Sequence, residues 1–457
     1  TELKLMKGNE ALAEASIRAG ADAYFGYPIT PQSEVIEYLT RERPEKRTGM
    51  VVLQAESEVA AINMVYGAAS TGKRVLTSSS SPGISLKLEG ISYLAGAELP
   101  AVIVNVVRGG PGLGTIQPSQ ADYFQSVKGG GHGDYHLYVL APNSVQEMSD
   151  FVEDAFDIAF KYRNPVLILS DGLIGQMMEK VELKPQKERL SDEELIEKHG
   201  DWAATGKPAH RNSNVITSLD LKAELMEEHV HKLMAKYKQM EEEDVRYETS
   251  DCEDAEYLIV AYGSSARIAQ KTVKLAREKG IKVGLLRPIT LFPFPKKPLL
   301  KLADQVKGVL AVELSSGQMV EDVRLAVEHK VPVEHFGRTG GVIHTPEEVL
   351  EALVDAIEIR DRIVDPNVSG TYNLDHDLAT DWKLTLTGAT TLADINFPPK
   401  TMEFTLKITG DFPLSVPSYW DMNGETYDGT GWNFFAIQLH DSTPSSEEVT
   451  VFLTNIV

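Results

Sequence analysis

The chain has 457 residues, of which 42% are hydrophobic and 25% charged, enough for about three domains with ordinary cores. Its formal net charge of −22 argues against non-specific binding to nucleic acid or to an anionic membrane, so we expect neither as a partner. The single cysteine, Cys252, can form no internal disulfide and cannot hold an iron–sulfur cluster, which takes about four ligands. No apolar run reaches membrane-spanning length, and these features together favour a cytoplasmic protein.

Residues 1–185 alternate apolar strands with helical patterns. Residues 4–19 have the pattern of a helix that ends at Gly20. Near-continuous apolar strands separated by helices predict a parallel sheet covered on both faces, in a doubly wound α/β domain. The predicted strands are 23–27, 51–53, 75–78, 101–107, 137–140 and 166–169.

Polar side chains follow three of these strands. Thr30 follows the first, Glu58 the second and Arg108 the strand at 101–107. Ligands of parallel α/β sheets bind beyond the carboxyl ends of the strands, so we expect these three residues to form a site. Burial raises the pKa of a carboxyl group whereas a helix N-terminus favours the anion, so Glu58 could exchange a proton with a ligand nitrogen. The alternative is an ordinary solvated acid in the first turn of a helix.

The rest of the chain divides into three parts. Residues 186–250 are charged and helical, which predicts a linker or excursion. A second α/β pattern over 251–360 predicts another doubly wound domain, with strands at 257–261, 283–286, 309–312 and 331–336 and a closing helix at 346–357. Over 366–457 the residues alternate strictly in short runs, and this pattern predicts an antiparallel all-β domain, a sandwich or a barrel.

Two glycine-rich loops are candidate parts of a ligand site. The first, 108–114, lets the backbone approach a ligand closely, since glycine has no side chain. The second, 129–135, contains His132 and is followed by His136. Two histidines four positions apart share a face only in a helix, and a glycine run is not helical, so we predict a flexible active-site lid and no metal site.

Four segments resemble the pyrimidine-binding (alpha) subunit of 2-oxoacid:ferredoxin oxidoreductases, which use thiamine diphosphate. They are Tyr-Pro-Ile-Thr-Pro at 27–31, Gln-Ala-Glu-Ser-Glu at 54–58, Ser-Ser-Ser-Ser-Pro-Gly at 78–83 and Asn-Val-Val-Arg-Gly-Gly at 105–110. The loop at 129–135 and the string at 287–295 are most similar to the branched-chain, 2-oxoisovalerate type. The resemblance covers about residues 3–358. It implies a pyrimidine-type thiamine diphosphate domain followed by a domain like the C-terminal domain of transketolase.

The resemblance also implies roles for individual residues. Glu58 would hydrogen-bond the ring nitrogen of the aminopyrimidine, and Thr30 and Arg108 would face the substrate. Arg108 would pair with its carboxylate, because a guanidinium fork suits a planar carboxylate. The other implied cofactor-binding residues are Tyr27, Pro28, Ile29, Ser81 and Gly83, and the implied substrate loop includes Gly109, Gly110 and His132.

The implied reaction is oxidative decarboxylation of a 2-oxoacid to acyl-coenzyme A and CO2, with electrons passing to ferredoxin. No Gly-Asp-Gly motif for diphosphate and Mg2+ occurs, and Ser170-Asp171-Gly172 comes nearest to one. The resemblance therefore implies a hetero-oligomer with a diphosphate-binding beta subunit that carries the Mg2+. A gamma subunit and a ferredoxin-like subunit with the iron–sulfur clusters would complete it.

The part beyond residue 365 departs from this family. Its segments around 384–392, 418–420 and 427–430 resemble small β domains of phage tail and virion proteins, which suggests a native module, a fusion or a chimera. Two alternatives to the leading function remain. One is a thiamine-dependent 2-oxoacid dehydrogenase subunit that passes its acyl group to lipoyl. The other is a virion-type structural or attachment protein with an α/β passenger.

Overall fold

A computed structural model describes residues 2–361, with side chains through 357, and the backbone of seven strands beyond them. The chain divides into two compact units, Thr1–Leu350 and Glu351–Val457. No helix among the described residues is long and apolar enough to cross a membrane. The first unit contains two mainly parallel sheets and a two-stranded pair.

The first sheet has seven strands in the order β12 (Thr290–Phe292), β6 (Tyr138–Leu140), β7 (Pro165–Asp171), β5 (Ala101–Val107), β4 (Val75–Ser79), β2 (Ala23–Gly26) and β3 (Val51–Gln54). Six of its strands are parallel to their neighbours, whereas β12 runs antiparallel to β6 at one edge. The strands in this part of the chain are β1 (Glu2–Lys7), β2 (Ala23–Gly26), β3 (Val51–Gln54), β4 (Val75–Ser79), β5 (Ala101–Val107), β6 (Tyr138–Leu140), β7 (Pro165–Asp171) and β8 (Met178–Leu183).

Helices cover both faces of this sheet. Along β5, Ala101, Ile103 and Val107 belong to one apolar core and Val102, Val104 and Val106 to the other, so the strand is buried on both sides, as its near-continuous apolar run predicts. The helices are α1 (Gly8–Arg18), α2 (Ser33–Glu42), α3 (Pro44–Arg47), α4 (Glu58–Ala69), α5 (Ser81–Gly96), α6 (Tyr123–Val127), α7 (Val145–Tyr162), α8 (Gly172–Gln176), α9 (Asp192–His199) and α10 (Ala223–Glu243).

The second sheet has five strands in the order β14-β13-β10-β11-β9, all parallel except β9. The fold class of two parallel-dominated α/β sheets is therefore confirmed. Its elements, with β12 of the first sheet, are β9 (Tyr247–Ser250), β10 (Tyr257–Ala261), α11 (Gly263–Glu278), β11 (Val283–Pro288), β12 (Thr290–Phe292), α12 (Lys296–Ala303), β13 (Gly308–Glu313), α13 (Met319–Val327), β14 (Val333–Gly337) and α14 (Pro346–Asp361).

Three details differ from the sequence-based expectation. The predicted helix over 4–19 is wrong in its first turn, because residues 2–7 form β1 and pair antiparallel with β8. β9 belongs to the second sheet although it lies within the predicted linker, and β12 returns to the first sheet. Each of these strands is defined by a partner far away in the chain, which local periodicity does not reveal.

In the second unit, seven strands form one sheet, in which both parallel and antiparallel pairs occur. The antiparallel arrangement expected from the alternation therefore holds for only some pairs. The comparison with phage tail domains concerns residues whose side chains lie outside the described part. The strands are β15 (Asn367–Asp375), β16 (Asp381–Ile395), β17 (Glu403–Thr409), β18 (Leu414–Ser415), β19 (Trp420–Asp421), β20 (Asn433–Leu439) and β21 (Val449–Asn455).

Candidate active site

The ends of β2, β3 and β5 carry the three polar residues expected from the sequence. β2 and β3 are neighbours in the sheet, and β4 alone separates β2 from β5. Arg108 follows β5 and donates from Nη1 to the carbonyl oxygen of Thr30, beyond β2, over 3.0 Å. The structure thus brings Thr30 and Arg108 together, with the Thr30 side chain exposed.

Arg108 is 7% exposed, and backbone oxygens hold it in place. Besides the bond to Thr30, Nη2 donates to the carbonyl oxygen of Leu113 over 2.8 Å, and Nε has no partner. Within residues 2–357, no carboxylate forms an ion pair with this guanidinium. A buried cation without a counter-ion is costly, so this arrangement favours an anionic ligand.

A cleft of about 420 Å³ opens beside Arg108, between loops of the two sheets of the first unit. Its wall contains Ser81, at the start of α5, and Asp122, just before α6. The Ser81 hydroxyl donates to the Asp122 carboxylate over 2.7 Å and accepts from the backbone N–H of Arg108 over 3.1 Å. Burial raises the pKa of Asp122. The other lining residues include Gly109, Gly110, Ser315, Gln318, Thr339 and Gly340.

Glu58 opens α4, and the hydroxyl of the preceding Ser57 accepts from the backbone N–H of Ala60 over 3.2 Å. The Glu58 side chain is 7% exposed, so it is not the solvated first-turn acid of the alternative interpretation. No hydrogen bond reaches its carboxylate from any residue that the structure describes. A Cβ added to Gly83 would lie 2.9 Å from its Oε1 and 2.0 Å from the hydroxyl oxygen of Ser79. The absence of a side chain at Gly83 therefore leaves room for the carboxylate.

The turn at 27–31 is fixed to the sheet by Gln32. Its side-chain amide donates to the carbonyl oxygen of Tyr27 over 3.2 Å, and its backbone N–H donates to that of Ile29 over 2.9 Å. The Ser78 hydroxyl, at the end of β4, donates to the Gln32 amide oxygen over 2.5 Å. Tyr27, Pro28 and Ile29 are each half-buried.

Sequence reasoning missed Lys87. This lysine of α5 is completely buried, and it donates to the Thr77 hydroxyl over 2.6 Å and to the Ser78 carbonyl oxygen over 3.2 Å. Burial lowers the pKa of Lys87 to about 7, although the negative charge of Glu58 acts to raise it. No local sequence signal distinguishes it from an ordinary exposed lysine of a helix, because only its contact with β4 buries it.

His132 does not line the cleft. It is exposed, its ring meets that of Tyr93 edge-on at 5.9 Å, and its carbonyl oxygen accepts from Ser92 over 2.6 Å. Ser92 is eleven positions beyond Ser81 on α5, a rise of about 16 Å. His132 and the cleft residues are therefore not brought together within this chain. No group of three or more His, Cys, Asp or Glu side chains that could hold a metal ion occurs within the described part.

Asp171, in the segment nearest to a Gly-Asp-Gly motif, is committed to the fold. It caps α8 by accepting from the backbone N–H groups of Leu173 and Ile174, and it accepts from the hydroxyl of Ser264 in α11. Desolvation raises its pKa. This carboxylate stabilises the contact between the two sheets.

Several known proteins are similar to this chain over both of its matched regions. Residues 14–249 match the family of pyruvate flavodoxin/ferredoxin oxidoreductase thiamine-diphosphate-binding domains, and residues 255–349 match pyruvate:ferredoxin oxidoreductase core domain II. The chain is 51% identical to ketoisovalerate oxidoreductase subunit VorB of Methanothermobacter thermautotrophicus, over 77% of this chain and 97% of that protein. It is 38% identical to 2-oxoglutarate synthase subunit KorA of Archaeoglobus fulgidus, over 77% of this chain and 98% of that protein.

Among solved structures, the 2-oxoglutarate:ferredoxin oxidoreductase from Magnetococcus marinus, with 2-oxoglutarate, coenzyme A and succinyl-CoA bound, superposes with a TM-score of 0.69 at 25% identity. The match covers 78% of this chain and 66% of that one. The similarity thus extends through both α/β sheets of the first unit.

Proposed function

The chain belongs to the thiamine-diphosphate-binding subunits of the 2-oxoacid:ferredoxin oxidoreductases, and from this membership we propose that it serves a branched-chain 2-oxoacid, with Glu58 and Arg108 as its catalytic residues. The reaction converts the 2-oxoacid and coenzyme A to acyl-coenzyme A and CO2 and passes electrons to ferredoxin. The observation that carries the site assignment is a buried carboxylate and a buried guanidinium, both without a charged partner in salt-bridge contact within residues 2–357.

The residues at Glu58 fit the aminopyrimidine of thiamine diphosphate. The carboxylate is buried and accepts no hydrogen bond from the described residues, and the absent side chain at Gly83 leaves space beside it. The buried hydroxyls of Ser79 and Ser80 also lack partners. Glu58 would hold and exchange the ring proton, Gly83 and Ser81 would border the ring, and the turn Tyr27, Pro28 and Ile29 would flank it. When bound, thiamine diphosphate supplies the carbon nucleophile and the electron sink for decarboxylation.

Arg108 would bind the substrate carboxylate. A guanidinium has five N–H donors, of which two go to backbone oxygens, so three remain for a ligand. Because the two backbone bonds fix its plane, Arg108 orients the carboxylate without a further loss of side-chain entropy. Thr30 would face the same substrate, and Gly109 and Gly110 let the loop approach it closely.

The missing half of the site requires a partner. Exposed apolar side chains occur on the elements that hold Glu58 and Gly83 and on the strand before them, namely Val59 of α4 (49% exposed), Leu86 of α5 (55%) and Val51 and Leu53 of the edge strand β3. Exposed apolar side chains near a half-complete site favour a protein interface. We assign it to the diphosphate-binding beta subunit with its Mg2+. The gamma subunit, the iron–sulfur subunit and a cytoplasmic location belong to the same proposal.

The test is reconstitution of the complex from this chain and its partner subunits. Viologen or ferredoxin reduction is measured with coenzyme A and, in turn, 2-oxoisovalerate, pyruvate and 2-oxoglutarate. We expect the highest kcat/KM with 2-oxoisovalerate and no turnover by this chain alone. A preference for 2-oxoglutarate would overturn the substrate, and acyl transfer to lipoyl in place of ferredoxin reduction would favour the dehydrogenase alternative.

A further inference from the structure

Lys87 lies on the same face of α5 as Gly83, one turn further along the helix. The Glu58 carboxylate lies against Gly83, since a Cβ there would come within 2.9 Å of Oε1 and 3.1 Å of Cγ. The Glu58 carboxylate of α4 therefore lies against the same face of α5 that carries Lys87. Lys87 has no exposed surface at all.

The sheet holds the ammonium group through two of its three donors. Nζ donates to the Thr77 hydroxyl over 2.6 Å and to the Ser78 carbonyl oxygen over 3.2 Å, at the carboxyl end of β4. Ser78 is itself fixed, because its hydroxyl bonds the phenol of Tyr24 over 2.7 Å and Gln32 over 2.5 Å. The third donor has no hydrogen-bond partner among residues 2–357.

The burial of this lysine needs an explanation, because an ammonium group is costly to bury without a counter-charge. No salt bridge of Lys87 occurs in the described part of the chain. Glu58 of α4 is the charged group that acts on it, and its charge favours the ammonium form. The other titratable group in this network is Tyr24 of β2, reached through Ser78, and burial raises the pKa of Tyr24 to about 12. Below its pKa of about 7, Lys87 is therefore the cation of this network.

We propose that Lys87 is a positioning residue whose ammonium keeps Glu58 ionised in its dry site, so that Glu58 is ready to take up the proton that it shares with a bound aminopyrimidine. This inference rests on the proposed function, because it needs Glu58 as the residue that contacts the ring. The attraction acts in both directions: the ammonium favours the carboxylate anion, and the carboxylate favours the ammonium.

The first readout is proton uptake when thiamine diphosphate binds. Calorimetry on the assembled, cofactor-free complex in two buffers of different ionisation enthalpy, at pH 6, gives the number of protons taken up. An ionised Glu58 takes up about one proton, whereas a neutral one takes up close to none. Lys87→Met has nearly the same length and no charge, so we expect uptake to fall by at least half. The acidic limb of kcat/KM should move up by about one pH unit.

Two further variants keep the result interpretable. Lys87→Arg retains a cation and should restore most of the proton uptake. Lys236→Met removes a partly buried lysine that pairs with Glu98 away from the cleft, and should leave uptake and the pH profile unchanged. If Lys87→Met does not assemble, the comparison of Lys87→Arg with Lys87→Gln measures the same charge.

Glu58→Gln separates this inference from the proposed function. If Glu58→Gln abolishes proton uptake and Lys87→Met leaves uptake and the acidic limb as in the wild type, Lys87 is only structural and the inference is wrong. If Glu58→Gln itself leaves uptake unchanged, Glu58 does not contact the ring and the proposed function fails first. In the Glu58→Gln background, Lys87→Met should have no additional effect on uptake.

Discussion

The Arg108 guanidinium joins the ends of two strands by donating to the carbonyl oxygen of Thr30 over 3.0 Å. Its other terminal nitrogen holds the carbonyl oxygen of Leu113 in the glycine-rich loop over 2.8 Å. One side chain therefore fixes the turn after β2, the loop after β5 and a positive charge at the cleft. No carboxylate within residues 2–357 pairs with its remaining donors, so the proposed substrate binding would depend on the same group that holds the two loops.

Arg108→Lys tests this double role. A lysine keeps the charge, but its compact ammonium cannot hold two carbonyl oxygens and a carboxylate in one plane. We expect kcat/KM for the 2-oxoacid to fall about 10- to 100-fold, or about 1.4–2.7 kcal/mol, mainly through KM. Steady-state kinetics of the complex measures the change. Arg41→Lys, at an exposed position of α2, is the control and should behave like the wild type.

Glu58→Gln preserves the shape of the side chain and removes its charge. We expect the fold to be retained, because no hydrogen bond within the described residues depends on this carboxylate. Decarboxylation should be lost almost completely. A loss of less than about tenfold, equal to about 1.4 kcal/mol of transition-state stabilisation, would be too small for the proposed role.

Gly83→Ala probes the space beside Glu58. The added Cβ would lie 2.0 Å from the Ser79 hydroxyl oxygen and 2.9 Å from Glu58 Oε1, so both side chains must shift. Overpacking of this kind costs about 1–3 kcal/mol, and displacement of a catalytic group by about 1 Å can cost about 100-fold in rate. Thermal unfolding and thiamine diphosphate titration measure the two effects.

Gly67→Ala is the matched control, because nothing lies within 4 Å of a Cβ at Gly67 of α4. Alanine is a better helix former than glycine, so Gly67→Ala should stabilise the chain by about 0.5–1 kcal/mol and leave cofactor binding unchanged. Equal behaviour of the two alanine variants would contradict the proposed packing of Glu58 on Gly83.

Much of the site could be predicted from local sequence. The apolar runs define parallel strands, the carboxyl ends of such strands meet at one edge, and Thr30, Glu58 and Arg108 follow three of them. Lys87 could not be predicted in this way, because a lysine in a helix ordinarily extends to solvent and only the contact with β4 buries it. Likewise, β1 and β12 pair with strands that are distant in the sequence, namely β8 and β6. The position of His132 is set by its contact with Tyr93, which is also distant in the sequence.

His344 makes the stability of the first unit sensitive to acid. The side chain is 2% exposed, neither ring nitrogen has a partner, and burial lowers the pKa of His344 from 6.5 to about 4. The pKa of His344 is lower in the folded protein than in the unfolded chain. The contribution of the neutral His344 to the free energy of unfolding is therefore fully present above pH 6.5 and is lost as the pH falls towards 4. The penalty at pH 5 is about 2 kcal/mol.

His344→Leu should remove this penalty. Denaturant unfolding at pH 7.5 and pH 5 should show a smaller loss of unfolding free energy in the variant than in the wild type, by about 2 kcal/mol. His231→Gln, at an exposed position of α10, is the control and should keep the pH dependence of the wild type. If His344→Leu loses as much unfolding free energy between pH 7.5 and pH 5 as the wild type does, His344 is not the acid-sensitive group.

The apolar surface around Glu58 predicts where the partner subunit binds. Val59 and Leu86 lie on α4 and α5, next to Glu58 and Lys87 in the sequence, and both are about half exposed in this chain. Glutamate at both positions would place two charges in a desolvated interface, at a cost of several kcal/mol. We expect the double variant Val59→Glu and Leu86→Glu to fold with an unchanged melting temperature as a single chain. It should no longer co-elute with the beta subunit in size-exclusion chromatography.

Leu221→Glu, at a position 89% exposed and far along the chain, is the matched control and should assemble normally. Normal assembly of the double variant would place the beta subunit on another surface, and the two halves of the cofactor site could then not meet at Glu58.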